Sequence, residues 1–285
     1  MNRRDFNAHF AAIATIALPA CAQPTHSPVQ ESPWGYSESL SGGRLGVAVL
    51  QADGRIEGHR LDERFPMCST FEWLAAAHVL QRVDRGMEKL DRRITYGSDV
   101  LLPHSPVTEK HVDGGMTLAE LCHATITTSD NAAGNLLLAS FGGPPGLTSF
   151  ARRLGDDVTR QDRWEPELNE ATPGDPRDTT SPRAMAHLLH ATLLGNALSP
   201  SSREQLARWL EGCETNGKRL RANLPADWRM GSKTGTGGRG SANDVGIFWP
   251  PKRPPILVCA FVTNTQATEA DRNAAIAAVA RRVTA

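Results

Sequence analysis

The sequence is poor in the features that would mark a nucleic-acid, metal or membrane protein. Its charges balance, with 31 Lys+Arg against 31 Asp+Glu in 285 residues. Such a surface offers no broad basic field for a phosphate backbone, though it says nothing against small anionic substrates. No C-x-x-C or H-E-x-x-H spacing occurs. His187 and His190 would share one helix face, but no third ligand stands near them in sequence, so no metal or other cofactor is expected. The mildly apolar run Phe10–Ala20 falls short of the roughly 20 residues a membrane span needs. Internal repeats and low-complexity tracts are missing too. What remains is a chain long enough to bury a large core, as one domain or two intimate ones.

The first thing present is an address. Asn2-Arg3-Arg4-Asp5-Phe6 before the run Phe10–Ala20 reads as an export signal of twin-arginine type over residues 1–22, and so predicts a periplasmic protein. Two maturation routes are legible. Ala20-Cys21-Ala22 fits a small-residue cleavage site after Ala22. Leu18-Pro19-Ala20-Cys21 resembles a lipobox that would leave a lipid anchor on Cys21. Proline is unusual in that box, which favours the soluble product. Residues 23–40, rich in Pro and Ser, read as a flexible leader. Cys68, Cys122, Cys213 and Cys259 remain after export; an even number permits disulfides without assigning them.

The rest alternates between strand and helix signals. RLGVAVLQ (44–51) and RIEGHR (55–60) flank Ala52-Asp53-Gly54, a hairpin signal. Thr117–Thr127 reads as a helix with a Thr117/Glu120 capping box. Asn131–Ser140 is a second helix, stopped by Phe141-Gly142-Gly143-Pro144-Pro145, and Leu147–Leu154 a short third one. Residues 160–182 are polar, irregular and proline-bearing, and a loop of that length is uncommon unless functional. Helices are predicted over 181–194, 201–212 and 269–283, and strands over 228–234, 243–249 and 256–263. Strands at both ends around a helical middle give an α+β pattern.

One stretch organises the chain: Met67–Leu80, MCSTFEWLAAAHVL. It reads as a buried helix starting near Ser69. In isolation Ser69 is best read as an N-cap. A serine there also sits beside unpaired backbone N–H groups, where an attacking oxygen and an oxyanion would be stabilised. Three other stretches shift the balance: Ser129-Asp130-Asn131, RWEPELN (163–169) and Lys233-Thr234-Gly235. In this order and near this spacing, from about Arg44 to the C-terminus, the chain resembles a class A serine β-lactamase.

That resemblance implies a fold of two parts. An α/β sandwich domain with an antiparallel sheet would comprise 41–62 and 213–285. An all-helical domain, 63–212, would include the loop 160–182. A monomer acting on a small-molecule β-lactam is expected. The resemblance also implies roles. Ser69 is the nucleophile. The backbone N–H groups of Ser69 and Thr236 form the oxyanion hole. Ser129 passes a proton to the leaving nitrogen, Asp130 is structural and Asn131 meets the substrate's side-chain amide. Glu165 is the deacylating base, Asn169 holds the hydrolytic water, and Arg163 with Asp178 pins the loop. Lys233, Thr234, Gly235 and Thr236 form the edge that holds the substrate carboxylate. Arg219 is either an auxiliary carboxylate-binding arginine or a loop surface charge, and His104 stands where an aromatic often lines the groove mouth. The disulfide many members form at the Cys122 position is ruled out because its partner position holds Ala76. The bridge some members form at Cys68 is ruled out by Gly237.

The departure is Glu72, where the family carries lysine. Three residues after Ser69, it shares a helix face with the nucleophile. The exchange inverts a charge worth roughly 4 kcal/mol at ~4 Å and an effective dielectric of about 20. It also places a second carboxylate beside Glu165, and such pairs tend to share a proton. Three outcomes are open. Glu72 acts as a base for Ser69; or it is protonated and donates a hydrogen bond while Glu165 does both proton transfers; or acylation is crippled. The functional readings follow: a β-lactam hydrolase working through an acyl-enzyme, a non-hydrolysing periplasmic binder of β-lactams or D-Ala-D-Ala peptides, or an envelope scaffold. The presence of the deacylation stretch favours hydrolysis.

Overall fold

The computed structural model describes residues 32–285; the export signal, both maturation sites and the leader as far as residue 31 lie outside the described residues. The chain opens with α1 (Gly35–Ser41), then the hairpin β1 (Arg44–Gln51) and β2 (Ile56–His59). The short β3 (Phe65–Pro66) leads through a 3-10 turn at Cys68–Thr70 into α2 (Phe71–Asp84). A ribbon of β4 (Arg93–Ile94) and β5 (Met116–Thr117) precedes α3 (Leu118–Thr128), α4 (Asn131–Ser140) and α5 (Gly143–Arg153). The long loop ends at β6 (Thr179–Thr180), followed by α6 (Pro182–Leu193) and α7 (Pro200–Glu211). Strands β7 (Arg229–Thr236), β8 (Ala242–Trp249) and β9 (Ile256–Thr263) and helix α8 (Glu269–Thr284) complete it.

Five strands form one antiparallel sheet in the order β2-β1-β9-β8-β7, which leaves β7 at an edge. Period-two alternation sends side chains to two cores. Leu45, Val47 and Val49 of β1, with Val258, Ala260 and Val262 of β9, pack on Ile276 and Val279 of α8. Ala48, Leu50, Leu257, Cys259 and Phe261 face the other way, into a larger core shared with the helices. Helix α2 is the axis of that core. Every residue from Phe71 to Gln81 is buried, which explains the run of small residues Ala75-Ala76-Ala77 where neighbouring helices crowd in.

The capping box of α3 forms as predicted: Glu120 N donates to Thr117 Oγ1 (3.2 Å) and Thr117 N to Glu120 Oε2 (2.7 Å). Three expectations need correcting. The leader does not run to residue 40, because Gly35–Ser41 is helical and Trp34 is buried in the core around α8. Helix α4 stops after Ser140 as expected, but the next helix does not wait for Leu147: Pro144 and Pro145 lie in the first turn of α5, where the missing N–H costs nothing. Ser69 is not an N-cap, since the chain winds as a 3-10 turn before α2 starts. All four cysteines in the described residues are buried and free, Cys122 among them.

Candidate active site

The turn before α2 is held from three sides. Phe65 and Pro66 pair with Thr180 and Thr179, joining the turn to the end of the long loop. From β8, Asn243 Nδ2 donates to the carbonyls of Pro66 (2.9 Å) and Met67 (3.0 Å). From β7, Gly235 passes so near that a Cβ there would lie 2.8 Å from Met67 O. Glycine is therefore required at the third position of Lys233-Thr234-Gly235, and Thr236 is brought beside the Ser69 turn. Cys68, directly before Ser69, has φ +46, a conformation costly for a non-glycine residue and one that surrounding structure must impose. The Cys68 thiol is pushed up to about 12 by burial, and then by the carboxylate of Glu165.

Ser69 lies almost wholly below the surface, and its hydroxyl donates to Glu165 Oε1 at 3.3 Å. Glu165 comes from the long loop, where packing alone would not fix it, and hydrogen bonds supply the restraint. Asn169 Nδ2 donates to Glu165 Oε2. Asn135 of α4 clamps the Glu165 backbone in both directions: Glu165 N donates to Asn135 Oδ1 (2.9 Å) and Asn135 Nδ2 donates to Glu165 O (3.0 Å). Further along, Arg163 Nε meets Asp178 Oδ2 at 2.6 Å, while Asp178 Oδ1 accepts from the backbone N of Asp162 and Arg163. The Arg163–Asp178 pin expected from the sequence is thus formed.

Glu72 faces the same groove from the first turn of α2, with no exposed surface. Its Oε2 lies 3.3 Å from Lys233 Nζ, and Ser129 Oγ donates to Oε1 at 3.3 Å. Lys233, equally buried, donates to Ser129 Oγ (2.9 Å) and to Thr234 O (2.7 Å). Ser129 is held in the left-handed region (φ +59) at the end of α3, so its hydroxyl turns back toward Lys233. Ser69, Glu165 and Asn169 therefore form one linked set, and Glu72, Ser129 and Lys233 another.

The remaining predicted residues sort cleanly. Asp130 is buried and accepts from Val107 N, Thr108 N, Thr108 Oγ1 and Ala133 N, a structural hub as expected. Asn131 stands apart from both sets, its amide donating to Pro103 O at 2.8 Å. His104 spans to Thr128 O. Arg219 is no surface charge. Only 6% exposed, it donates to Gly235 O (2.8 Å), Asn243 O (2.7 Å), Asn273 Oδ1 (2.8 Å) and Thr236 Oγ1 (2.7 Å). It thereby orients the Thr236 hydroxyl on the exposed rim of β7. Two residues were missed by reading the sequence. Thr215 is hydrogen-bonded to Thr234. Asn135 could have been noticed four residues after Asn131, on the same face of α4.

Burial dominates the electrostatics. Desolvation raises the Glu72 carboxyl to about 7, with Lys233 pulling the other way. Glu165 is raised to about 8, first by burial and then by the charge of Glu72. Two carboxyls and one ammonium thus share a nearly dry site. Carboxyls in such company keep their protons to higher pH than exposed ones, and their titration belongs to the set rather than to either residue.

Comparison with known proteins adds the relatives. A sequence model described as "Beta-lactamase enzyme family" matches residues 37–285. Beta-lactamase AST-1 of Nocardia asteroides is 45% identical over 270 residues, covering 94% of this chain and 87% of that protein. Beta-lactamase CTX-M-25 of Escherichia coli is 44% identical over 269 residues, covering 94% and 91%. Among solved structures, an ancestral class A β-lactamase (GNCA) superposes with a TM-score of 0.86 at 63% identity, covering 87% of this chain and 96% of that one.

Proposed function

The chain belongs to the class A serine β-lactamase family, and from that premise we propose that it hydrolyses the β-lactam amide through an ester on Ser69, with Glu165 as proton acceptor in both half-reactions. The observation that carries this reading is the hydrogen bond from Ser69 Oγ to Glu165 Oε1. Attack of Oγ on the ring carbonyl passes the hydroxyl proton to Glu165. The oxyanion is met by the backbone N–H groups of Ser69 and Thr236. The departing nitrogen takes its proton from Ser129. Before the second half-reaction Glu165 releases to solvent the proton it took from Ser69. With Asn169 on its other oxygen, it then takes a proton from water as that water attacks the ester, and returns it to the departing Ser69 Oγ.

Glu72 enters as a neutral hydrogen-bonding group. Its carboxyl lies against Ser129 Oγ, so once Ser129 has given up its proton, the Glu72 acid can replace it, while Lys233 holds the transient alkoxide. As an anion, Glu72 would instead offset the Lys233 charge meant for the substrate carboxylate. That contact, 3.3 Å between two buried groups, supports a second reading: a protein that binds β-lactams and turns them over slowly or not at all. Asn131 would meet the substrate side chain, and Thr234, Thr236 and the Arg219-oriented rim its carboxylate. Export as a periplasmic monomer by the twin-arginine route, cleavage after Ala22 and the division into a sheet domain and a helical domain complete the proposal. The Cys21 lipid anchor is its alternative ending.

Intact mass spectrometry after exposure to penicillin and a cephalosporin, beside turnover of a chromogenic cephalosporin, tests the reading. Turnover, with an adduct on Ser69 that persists in Asn169→Ala, is expected. A stable Ser69 adduct without turnover in the natural chain establishes the second reading, and no adduct at all overturns both. Arg3→Lys with Arg4→Lys should leave precursor in the cytoplasm; unchanged periplasmic yield removes the twin-arginine route.

A further inference from the structure

Helix α2 carries the nucleophile turn at one end and a different set of side chains at the other. His78, Gln81, Arg82 and Arg85 recur at the spacing that places them on one helix face. Opposite stands α5, which contributes Arg153. Between them lies a cavity of about 430 Å³, within the size range of small-molecule sites. We propose that this groove binds a small organic molecule carrying a doubly charged oxyanion of the phosphate-ester type.

Two independent observations point to a ligand. The first is charge. Elsewhere in the described residues, Arg60, Arg92, Arg160, Arg163, Arg177 and Arg183 each hold a carboxylate at 3.1 Å or less. Around this groove Arg82, Arg85 and Arg153 converge with no acidic residue lining it. The one carboxylate in reach, Glu88, is 4.0 Å from Arg82 and is occupied by Arg92 at 2.7 Å. Arg153 is held below its ordinary value by burial and then by Arg85 and Arg82, so the three guanidinium groups feel one another.

The second observation is unmet hydrogen bonding. His78 and Gln81 are 5% and 4% exposed, yet His78 Nδ1 and Gln81 Oε1 have no partner, and neither has Arg82 Nε. Buried polar atoms are ordinarily paired, and a cluster of orphans at a cavity wall is what a polar ligand would satisfy. His78 is stacked on Phe150 and edge-on to Phe141, with ring centroids 4.5 and 4.7 Å away. It is pushed down to about 4 by burial and then by Arg153, Arg82 and Arg85. It is therefore neutral near pH 7 and able to donate from Nδ1. Gln81 can present its amide N–H₂ after a flip of the side chain. Guanidinium forks match phosphate oxygens two at a time. Phe141 and Met87 supply the apolar wall that favours an organic body over the bare ion.

The test titrates the full purified chain with phenyl phosphate and with inorganic phosphate at low ionic strength, by calorimetry and by amide NMR shifts. Saturable one-to-one binding is expected, tighter for phenyl phosphate, with shifts on α2 and α5. Arg82→Gln with Arg153→Gln should weaken it by about tenfold or more, while Arg55→Gln, which removes an exposed charge elsewhere, should not. If the double variant does not fold, Arg85→Gln gives the same reading alone. Binding weaker than about 10 mM, shifts confined to the Lys233 edge, or affinity unchanged in the arginine variants would each overturn the proposal.

Discussion

Two glutamates reach the same groove from opposite kinds of scaffold. Glu72 rides on the most deeply packed helix of the molecule, where every neighbour along eleven residues is buried. Glu165 hangs from an irregular loop and is placed by side-chain amides, through Asn135 and Asn169. The helix places its carboxyl against Lys233 and Ser129; the loop places its own against the Ser69 hydroxyl. Packing therefore fixes the carboxyl beside Lys233 and Ser129, and hydrogen bonds fix the carboxyl beside Ser69. Asn135 restrains the Glu165 backbone, while Asn169 and Ser69 each hold one oxygen of its carboxyl.

The largest break of this comparison is Glu165→Ala. If Glu165 serves both steps, acylation and deacylation each fall by roughly 10²–10⁴-fold, and no acyl-enzyme accumulates on the steady-state timescale. Asn169→Ala should slow the second step more than the first, so the Ser69 adduct builds up. Stopped-flow acylation with mass detection separates the two variants. Rapid adduct formation in Glu165→Ala would transfer the acylation base to Glu72.

Next comes Glu72→Lys. It replaces the second carboxyl beside Glu165 with a cation near an anionic substrate, and we expect penicillin acylation to rise by about tenfold, an effect of ~1.4 kcal/mol on the barrier. Slower acylation in a folded Glu72→Lys protein would make the carboxyl itself functional. Glu72→Gln keeps the shape but cannot restore a proton to Ser129. Loss of rate there, with binding kept, would place Glu72 in the proton relay.

The two raised carboxyls also set a pH dependence. The base form of Glu165 predominates only above its raised value, so kcat/KM should climb with pH through a midpoint of about 8. Stability runs the opposite way. Between the ordinary carboxylate value and the raised ones, the folded protein holds protons that the unfolded chain has lost, so stability falls as pH rises from 4.5 through about 7 for Glu72. The shift corresponds to on the order of 3 kcal/mol. Denaturant melts between pH 5 and 9 should show the decline in the natural chain and a shallower one in Glu72→Gln. Equal slopes would mean that the Glu72 carboxyl stays ionised.

Much of this was legible beforehand where a rule is local. The bounds of β1 and β9 were read residue for residue, since each is an apolar run between turn signals. The family motifs named the residues of the groove. What escaped depends on partners distant in sequence. Trp34 becomes core, and Leu40 packs against it half-buried, only because α8 lies beside α1. Pro144-Pro145 carries two local meanings, stop and start, and the Gly142 cap decides between them. Arg219 could be buried only because two carbonyls and two side chains were waiting for it. The contact of Glu72 with Lys233 joins α2 to β7, which no spacing rule reaches.

Asn135 is the subtlest of these, and it offers the finest test of the comparison. A helical asparagine ordinarily reads as a solvated face, yet this one satisfies both the N–H and the C=O of Glu165 across 30 residues. Asn135→Ala should cost about 1–3 kcal/mol of stability, since two backbone groups lose a partner. A merely structural clamp would stop there. If Asn135 positions the base, deacylation should also slow several-fold while acylation by a good substrate changes less, because the second step depends on where Glu165 holds its water. Asn135→Asp retains an acceptor for Glu165 N but sets a carboxylate against Glu165 O, so it should recover none of the rate. A variant that melts earlier but keeps both rate constants would leave Asn169 and the Arg163–Asp178 pin as sufficient to place Glu165.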